Sequence, residues 1–329
     1  MATEALGKAI ATPVRAAFPL DEHSFAVICA GPVHPSATDR SAFRFKSGRA
    51  IEAVEVDPKA SDRLILRVKP EPLPSFIIET ISIQKLSLAD GSSVKNVESP
   101  RFAGAIYNAM QLKVPHFSSE FPYASTLLDL HVTLACCGGC NGGVHGRGLS
   151  VLNTHTGGCF SGMWIYANRA LIEPYPRWQR IVCAGGVVEE RNGSTTIVDR
   201  GWMTARRDNE EPHQAPPPLP IHAIDVPMEL TRSLETKGLD GSYVSFSDIT
   251  IEKVRPIDGG LGQRTGAPVP AVEAQFTDES KAKSIAWLYQ PSGQSIRPGQ
   301  RMRSLAGFVH AEEPGRYILL TDKEADISL

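Results

Sequence analysis

Five of the six cysteines lie close together in the middle of the chain, between residues 136 and 183. Two residues separate Cys137 from Cys140, and three separate His155 from Cys159. Thiolate and imidazole ligands paired at short spacing, two from each of two loops, are what a tetrahedral zinc site requires. These four residues are therefore one candidate site, for a structural zinc ion.

The same cysteines also suit disulfide bonding, which is the interpretation that we favour. An even total of cysteines, six here with five of them clustered, is typical of exported proteins, because disulfides persist in an oxidising environment. A bridge from Cys159 to the Gly-rich loop that precedes it is expected to stabilise the fold by about 2 to 4 kcal/mol. No cofactor is expected in this interpretation, and zinc is the alternative. The candidate half-cystines are Cys136, Cys137, Cys140, Cys159 and Cys183.

Aromatic and basic side chains form a second candidate site, for a nucleic acid or another ligand. Tyr175 and Trp178 lie in a Pro-bounded segment, so their rings are expected at the surface, where bases or sugars could stack on them. Arg297, Arg301 and Arg303 form a local basic patch. The net charge of −2, however, lacks the excess of basic groups that neutralises phosphates in a dedicated nucleic-acid binder. A strong general affinity for nucleic acids is not expected.

The sequence contains none of the common catalytic signatures. A Gly-x-Ser-x-Gly elbow, a phosphate-binding loop and a His-Glu-x-x-His motif are all missing, so we expect a protein that is not an enzyme. Hydrophobic residues make up 42% of the chain and charged residues 21%, which is typical of a globular protein. No apolar run is long enough for a membrane-spanning helix.

An internal repeat indicates how the candidate residues are positioned. A Trp-x-Tyr motif at 164–166 recurs at 287–289, and a Gly-x-Val motif at 186–188 recurs at 307–309. Each copy offers about five short strands, which favours a small closed barrel, because closure removes the exposed edges of a short sheet. Trp164 and Trp287 take the same place in the two copies, and we predict that both are buried in the core of their barrels.

The first third of the chain has a different pattern. Short apolar or alternating runs bounded by Gly, Pro and Asp fit a small β-sandwich, and a Pro-rich stretch reads as a semi-rigid connector between the two repeats. The predicted organisation is an extension at 1–19, a sandwich at 20–100, a linker at 101–123, a first barrel at 124–210, the connector at 211–220 and a second barrel at 221–329.

Three segments carry a resemblance to a known family. Arg177–Asp199 and Arg297–Asp322 each contain a strand with Gly-x-Val before a hairpin, and Leu239–Val244 precedes the second barrel's first strand. They resemble the OB-fold domains that accompany exported bacterial nucleases. Residues 43–45 and 64–68 are similar to strands of bacterial immunoglobulin-like modules. The resemblance implies an all-β chain, with an immunoglobulin-like sandwich followed by two OB-like five-stranded barrels.

The function expected from these observations is that of a non-catalytic, exported binding or structural module. Its partner is expected to be protein, through self-association or as a subunit of a surface or extracellular assembly. Two alternatives are single-stranded nucleic-acid binding through the paired barrels, and service as accessory domains of a nuclease whose catalytic part is elsewhere. A cytoplasmic location is the alternative to export, since the sequence begins without a signal peptide.

Overall fold

The computed structural model divides the chain into two compact units, residues 1–105 with 123–126 and residues 106–122 with 127–329. Within them it describes residues 12–71, 78–106, 109–113, 124–127, 131–133, 148–152, 162–167, 171, 179–191, 193–207, 217–228, 238–257, 261–262, 268–269, 271–289, 295–313, 315–321 and 327–328.

The first unit is a two-sheet sandwich. One sheet has the strand order β1-β2-β5-β4 and the other β3-β7-β8, and every adjacent pair of strands is antiparallel. This is the arrangement of an immunoglobulin constant-type domain, with strands ABED in one sheet and CFG in the other. The strands are β1 (Val14–Asp21), β2 (Ser24–Cys29), β3 (Phe43–Phe45), β4 (Ile51–Val56), β5 (Arg63–Val68), β6 (Ile78–Glu79), β7 (Ile81–Ser87), β8 (Ser93–Glu98) and β9 (Phe102–Ala103).

The two sheets enclose an aromatic and aliphatic core. Every residue of β2 is buried, because this strand lies between two neighbours and packs against the other sheet. The Phe25 ring on β2 meets the Phe45 ring of β3 edge-on at a centroid distance of 4.8 Å. On β7, Ile81 and Ile83 are buried, and Ser82 between them is not. The predicted sandwich is therefore confirmed.

The strand β1 was not expected, since the sequence pattern placed residues up to 19 in an extension. Val14–Asp21 has no alternation of apolar and polar residues, and it contains Pro19. Proline lacks the N–H needed inside a sheet but is tolerated in an edge strand. In its sheet β1 pairs with β2, and Pro19 lies opposite Phe25.

The second unit begins with a single helical turn and the strands of the first barrel. The helical turn α1 occupies Met110–Lys113, within the predicted linker. Strand order is β12-β13-β14-β16-β15, and β14 pairs in parallel with β16. The strands of this unit up to the connector are β12 (His131–Thr133), β13 (Gly148–Leu152), β14 (Gly162–Tyr166), β15 (Ile181–Arg191), β16 (Ser194–Val198) and β17 (Thr204–Arg207), preceded by β10 (Ala105–Ile106) and β11 (Ala124–Leu127), whose residues 105 and 124–126 belong to the first unit.

The second barrel repeats this order and closes. Its strands run β19-β22-β23-β25-β24, with β23 parallel to β25, and the long first strand also pairs with β24. This closed five-stranded order is that of an OB-like barrel, as predicted. The elements are β18 (Leu219–Pro220), β19 (Tyr243–Pro256), β20 (Leu261–Gly262), β21 (Pro268–Val269), β22 (Ala271–Thr277), β23 (Lys283–Tyr289), β24 (Arg301–Glu313), β25 (Arg316–Leu320) and β26 (Ile327–Ser328).

The glycines of the two Gly-x-Val motifs occupy the same strand in each barrel. Gly186 on β15 and Gly307 on β24 both lie on the fourth strand of their barrel, next to the fifth strand. A Cβ atom on Gly186 would collide with the Ile197 side chain, and one on Gly307 would lie 2.5 Å from the Leu320 carbonyl oxygen. Glycine is required at both positions because the two strands approach closely there.

The end of the predicted connector belongs to the second barrel's sheet. Leu219 and Pro220, at the end of the predicted Pro-rich connector, form β18 and pair in parallel with β19. Across the described residues, no helix is long and apolar enough to cross a membrane.

Candidate functional site at the junction of the two barrels

The second barrel carries an apolar cluster on its outer face, separate from its core. On β23, Ala286 and Leu288 pack in the barrel core, whereas Trp287 points to the opposite side. Trp164, from β14 of the first barrel, packs into this outer cluster. The buried members are Trp164, Ala271, Ile285, Trp287, Phe308, Ile318 and Leu320.

The two repeated tryptophans are thus buried on equivalent strands, as predicted, but their location differs from the prediction. Trp164 is 2% exposed and Trp287 is 5% exposed. Neither value reflects a position inside a barrel, because both rings contribute to the cluster between the barrels. Burial of a side chain of this size stabilises the buried state by about 1.5 to 3 kcal/mol or more.

A buried carboxylate joins the two barrels beside this cluster. Asp240, in the turn before β19, is 1% exposed. Its Oδ1 accepts hydrogen bonds from Trp164 Nε1 at 3.2 Å and from the Ala311 N–H at 3.0 Å. Its Oδ2 accepts one from the Ser194 hydroxyl. A buried carboxylate is costly unless it is fully hydrogen-bonded, and here donors from both barrels are needed to satisfy it.

The Trp164 ring is held from two further directions. Its Nε1 also donates to the Val309 carbonyl oxygen, at 3.1 Å. The His310 ring meets it edge-on at a centroid distance of 4.7 Å. Because Val309 and His310 both lie on β24, the orientation of this first-barrel side chain is set by the second barrel.

The backbones of the two barrels also touch. A Cβ atom on Gly162, at the start of β14, would collide with the Gly241 carbonyl group, and one on Gly241 would lie 2.6 Å from the Met163 nitrogen. Gly241 has a φ of +76°, which itself favours glycine. Lys113, the last residue of α1, is fully buried and donates to the Asp240 carbonyl oxygen. Backbone and side-chain contacts therefore converge on residues 240–241.

A second buried carboxylate lies wholly within the second barrel. Glu273, on β22, is 5% exposed and accepts hydrogen bonds from Trp287 Nε1 at 3.2 Å, Arg255 Nη2 at 2.7 Å and Arg316 Nη2 at 3.2 Å. The hydrogen bond to Glu273, together with the charge of that carboxylate, raises the pKa of the Arg255 guanidinium. This network fixes Trp287 on the face that receives Trp164.

The polar groups of the junction form structural hydrogen bonds. The carboxylate oxygens of Asp240 and Glu273 accept hydrogen bonds from N–H and O–H groups of the protein itself. Both side chains are excluded from water. Asp240 has hydrogen-bond donors from both barrels and so links them, whereas Glu273 holds Trp287 in place within the second barrel.

The basic patch predicted from the sequence lies elsewhere on the second barrel. Arg297, Arg301 and Arg303 are all exposed, and Arg297 Nε donates to the Ser295 hydroxyl at 2.8 Å. Arg301 and the residues after it pair with β19, so the patch follows the first and fourth strands. The predicted surface aromatics, Tyr175 and Trp178, lie outside the described residues.

One of the predicted half-cystines, Cys183, lies within the described residues. Cys183, on β15, is a buried free thiol, as is Cys29 on β2, so Cys183 leaves the set of candidate half-cystines. Burial raises the pKa of each thiol to about 12, with a smaller contribution from Asp62 at Cys29. Among the described residues there is neither a disulfide nor a group of three potential metal ligands. The remaining predicted residues, Cys136, Cys137, Cys140, His155 and Cys159, lie outside those ranges.

Sequence reasoning missed the junction. Asp240 lies within the segment Leu239–Val244 that carries part of the family resemblance, but no spacing linked it to Ser194 or Trp164. Its partners are 46 and 76 residues away. The available signal was a Gly next to an Asp ahead of an apolar strand, which is too common to indicate an interface.

Comparison with known proteins gives distant similarities in overall fold. No family model matches, and no curated protein matches. A murine DNA-binding protein bound to double-stranded DNA has a TM-score of 0.28 and 10% identity over 60% of this chain and 92% of that one. Replication protein A bound to single-stranded DNA scores 0.24, with 11% identity over 62% and 50%. The N-terminal part of the bacterial S-layer protein SbsC scores 0.27, with 13% identity over 59% and 43%. At these scores the similarities carry no argument about function, and the OB-like assignment is based on strand order.

Proposed function

We propose that this chain is a non-catalytic binding or structural module, exported from the cell, in which the two OB-like barrels act as one rigid body. The observation that carries the proposal is that Trp164 packs into the outer face of the second barrel and donates a hydrogen bond to Asp240 there. A body of this kind suits a subunit of an extracellular or surface assembly, whose task is to hold partners at fixed positions.

The junction occupies a face that OB barrels commonly use for ligands. OB folds bind oligonucleotides and oligosaccharides on the face of strands two and three, with the flanking loops. In the second barrel these strands are β22 and β23, and their outward residues Ala271, Ile285 and Trp287 are buried against Trp164. We infer that this barrel recognises its partner through another surface.

Nucleic-acid binding is the second candidate function, and the exposed arginines favour it. Arg301 and Arg303 extend from the fourth strand with no hydrogen bond or ion pair to the described residues, so both guanidinium groups are available for phosphates. They lie beside β19, away from the usual ligand face. In this alternative the chain either binds single strands itself or serves as the accessory part of a nuclease.

Fluorescence anisotropy with labelled single-stranded and double-stranded oligonucleotides distinguishes the two functions. Contacts to several phosphates make affinity fall by about 10³ to 10⁵ between roughly 50 and 200 mM salt. The proposal predicts no binding at micromolar protein in about 50 mM salt. Micromolar binding that weakens steeply with salt, and that is lost in the triple variant R297Q/R301Q/R303Q, would contradict it. Lys281→Gln, on an exposed turn of the same barrel, is the matched control.

A further inference from the structure

The N-terminal sandwich contains a cavity of its own. It has a volume of about 530 Å³, within the range of roughly 300 to 1,000 Å³ that is usual for small-molecule sites. Three phenylalanine rings, Phe25, Phe45 and Phe102, contribute to its wall. All three are buried and touch one another through Phe25, with centroid distances of 4.8 and 6.0 Å. The three rings therefore form a packed aromatic layer along one side of the cavity, of which Phe25 keeps the most accessible surface.

A buried guanidinium lies against this aromatic wall. The Arg49 side chain is 10% exposed, and its Cζ lies 5.5 Å from the centroid of the Phe25 ring. Nη2 faces the Glu71 carboxylate at 3.7 Å, but that carboxylate is 60% exposed. Nη1 is buried and has no hydrogen-bond partner in the described part of the chain. A buried donor left unsatisfied is unfavourable, so this nitrogen requires an acceptor.

The one buried carboxylate among the described residues that line the cavity, Glu79, already has hydrogen-bond donors. Glu79 accepts hydrogen bonds from the Ser47 N–H at 3.2 and 3.3 Å and from the Thr80 N–H at 2.9 Å. These contacts hold the turn between β3 and β4, in which Arg49 lies. The guanidinium is thus placed at the cavity by a turn that Glu79 anchors.

The cavity is lined by two basic and two acidic side chains, and a shallower concavity beside it adds further basic ones. Lys69 also lines the cavity. A second, shallower concavity of about 480 Å³ shares Gly48, Arg49 and Ala50 with the first, and it adds Arg40 and Arg44. Arginine binds carboxylates through charge-assisted N–H···O bonds, and Nη1 is the Arg49 donor that lacks an acceptor among the described residues.

We propose that the cavity binds a small organic carboxylate with an aromatic or apolar body, its carboxylate on Arg49 and its body against Phe25, Phe45 and Phe102. The site lies entirely within the first unit. It is independent of the barrel junction and of the function proposed above.

Calorimetric titration of the full chain with phenylacetate tests this site. Phenylacetamide keeps the ring but lacks the charge, and acetate keeps the charge but lacks the ring. A hydrogen bond to a charged group contributes enough for about a 10- to 100-fold change in affinity. We expect phenylacetate to bind at least about 10-fold more tightly than either analogue. Equal affinity for phenylacetamide, or no saturable binding of phenylacetate at millimolar concentration, would overturn the proposal.

Variants assign the binding to Arg49. Arg49→Met keeps the aliphatic stem over Phe25 and is expected to reduce phenylacetate affinity by about 10-fold or more. Arg67→Gln is the control, because Arg67 forms a half-exposed ion pair with Glu55 on the same unit and does not line the cavity. If Arg49→Met fails to fold, Arg49→Lys retains the charge without the planar fork and is expected to bind more weakly than the wild type. Unchanged affinity in a folded Arg49 variant would refute the assignment.

Discussion

Trp164 and Trp287 occupy the same strand position in their barrels, but they donate hydrogen bonds to different barrels. Trp164 donates its indole N–H to Asp240 and to the Val309 carbonyl, both in the other barrel. Trp287 donates to Glu273 in its own barrel. Both rings meet in one cluster. Both barrels thus bury a tryptophan at this strand position but give it different polar partners, so Trp164 reaches across the junction and Trp287 lies on the surface that receives it.

Among the predictions that follow, removal of the Asp240 carboxylate should lower the free energy of unfolding the most. Asp240→Ala leaves the Ser194 hydroxyl and the Ala311 N–H without their acceptor in a buried site, so we expect the free energy of unfolding to fall by about 3 to 5 kcal/mol. Denaturant unfolding followed by tryptophan fluorescence is the measurement, because all four tryptophans lie at or after residue 164 and report on the barrels. Glu279→Ala, at a side chain that is 80% exposed, should change stability by less than about 0.5 kcal/mol.

Substitution at the backbone contact between Gly162 and Gly241 should have the next largest effect on stability. Gly162→Ala places a methyl group against the Gly241 carbonyl, so the barrels must separate slightly, and we expect a loss of about 1 to 3 kcal/mol. Gly31→Ala is the control, because a Cβ atom there would meet nothing within 4 Å. Equal stability of the two variants would show that the barrels do not touch at residues 162 and 241.

Substitution by phenylalanine should distinguish the two tryptophans directly. Trp164→Phe and Trp287→Phe remove a comparable ring volume, but the first removes two hydrogen bonds to the opposite barrel and the second removes one within its own barrel. Glu273 keeps Arg255 and Arg316 when Trp287 is replaced. We therefore expect Trp164→Phe to cost about 1 kcal/mol more than Trp287→Phe in the same unfolding assay. A larger loss of unfolding free energy for Trp287→Phe would contradict the assignment of Trp164 as the residue that bonds across the junction.

The smallest effect concerns the buried thiols. Three residues before the repeated glycine, the first barrel has buried Cys183 and the second has Ser304. With the pKa values of Cys29 and Cys183 raised to about 12, both thiols should resist alkylation at pH 8 in the folded protein. Their contribution to stability should hold below the unfolded pKa of about 8.5 and decline as the pH rises from there toward 12. Fast labelling of either residue, measured by peptide mass spectrometry, would contradict their burial.

The same labelling in denaturant, without reductant, tests the cysteine cluster. The disulfide prediction for Cys136, Cys137, Cys140 and Cys159 expects fewer than six reactive thiols per chain. Six reactive thiols with one equivalent of zinc would instead support Cys137, Cys140, His155 and Cys159 as ligands.

The fold was predictable from the sequence to a greater extent than the site. Strand alternation and the Trp-x-Tyr and Gly-x-Val repeats predicted the sandwich and both barrels, because these signals are local. The burial of Trp164 followed from the repeat as well. Its position outside the barrel did not, because a buried strand reads as apolar on both faces. The role of Asp240 could not be predicted, because its partners lie 46 to 127 residues away in sequence and it is buried only when they pack around it.

The most direct test of a fastened pair of barrels is a double-mutant cycle between Trp164 and Asp240. Stability is measured for Trp164→Phe, Asp240→Ala and the double variant, with Trp287→Phe in place of Trp164→Phe as the control cycle. If the hydrogen bond across the junction contributes to stability, the first cycle should give a coupling energy of at least about 1 kcal/mol, and the control should be additive within about 0.5 kcal/mol. Additivity in the first cycle would contradict the account, because it would mean that Trp164 and Asp240 are buried without acting on one another.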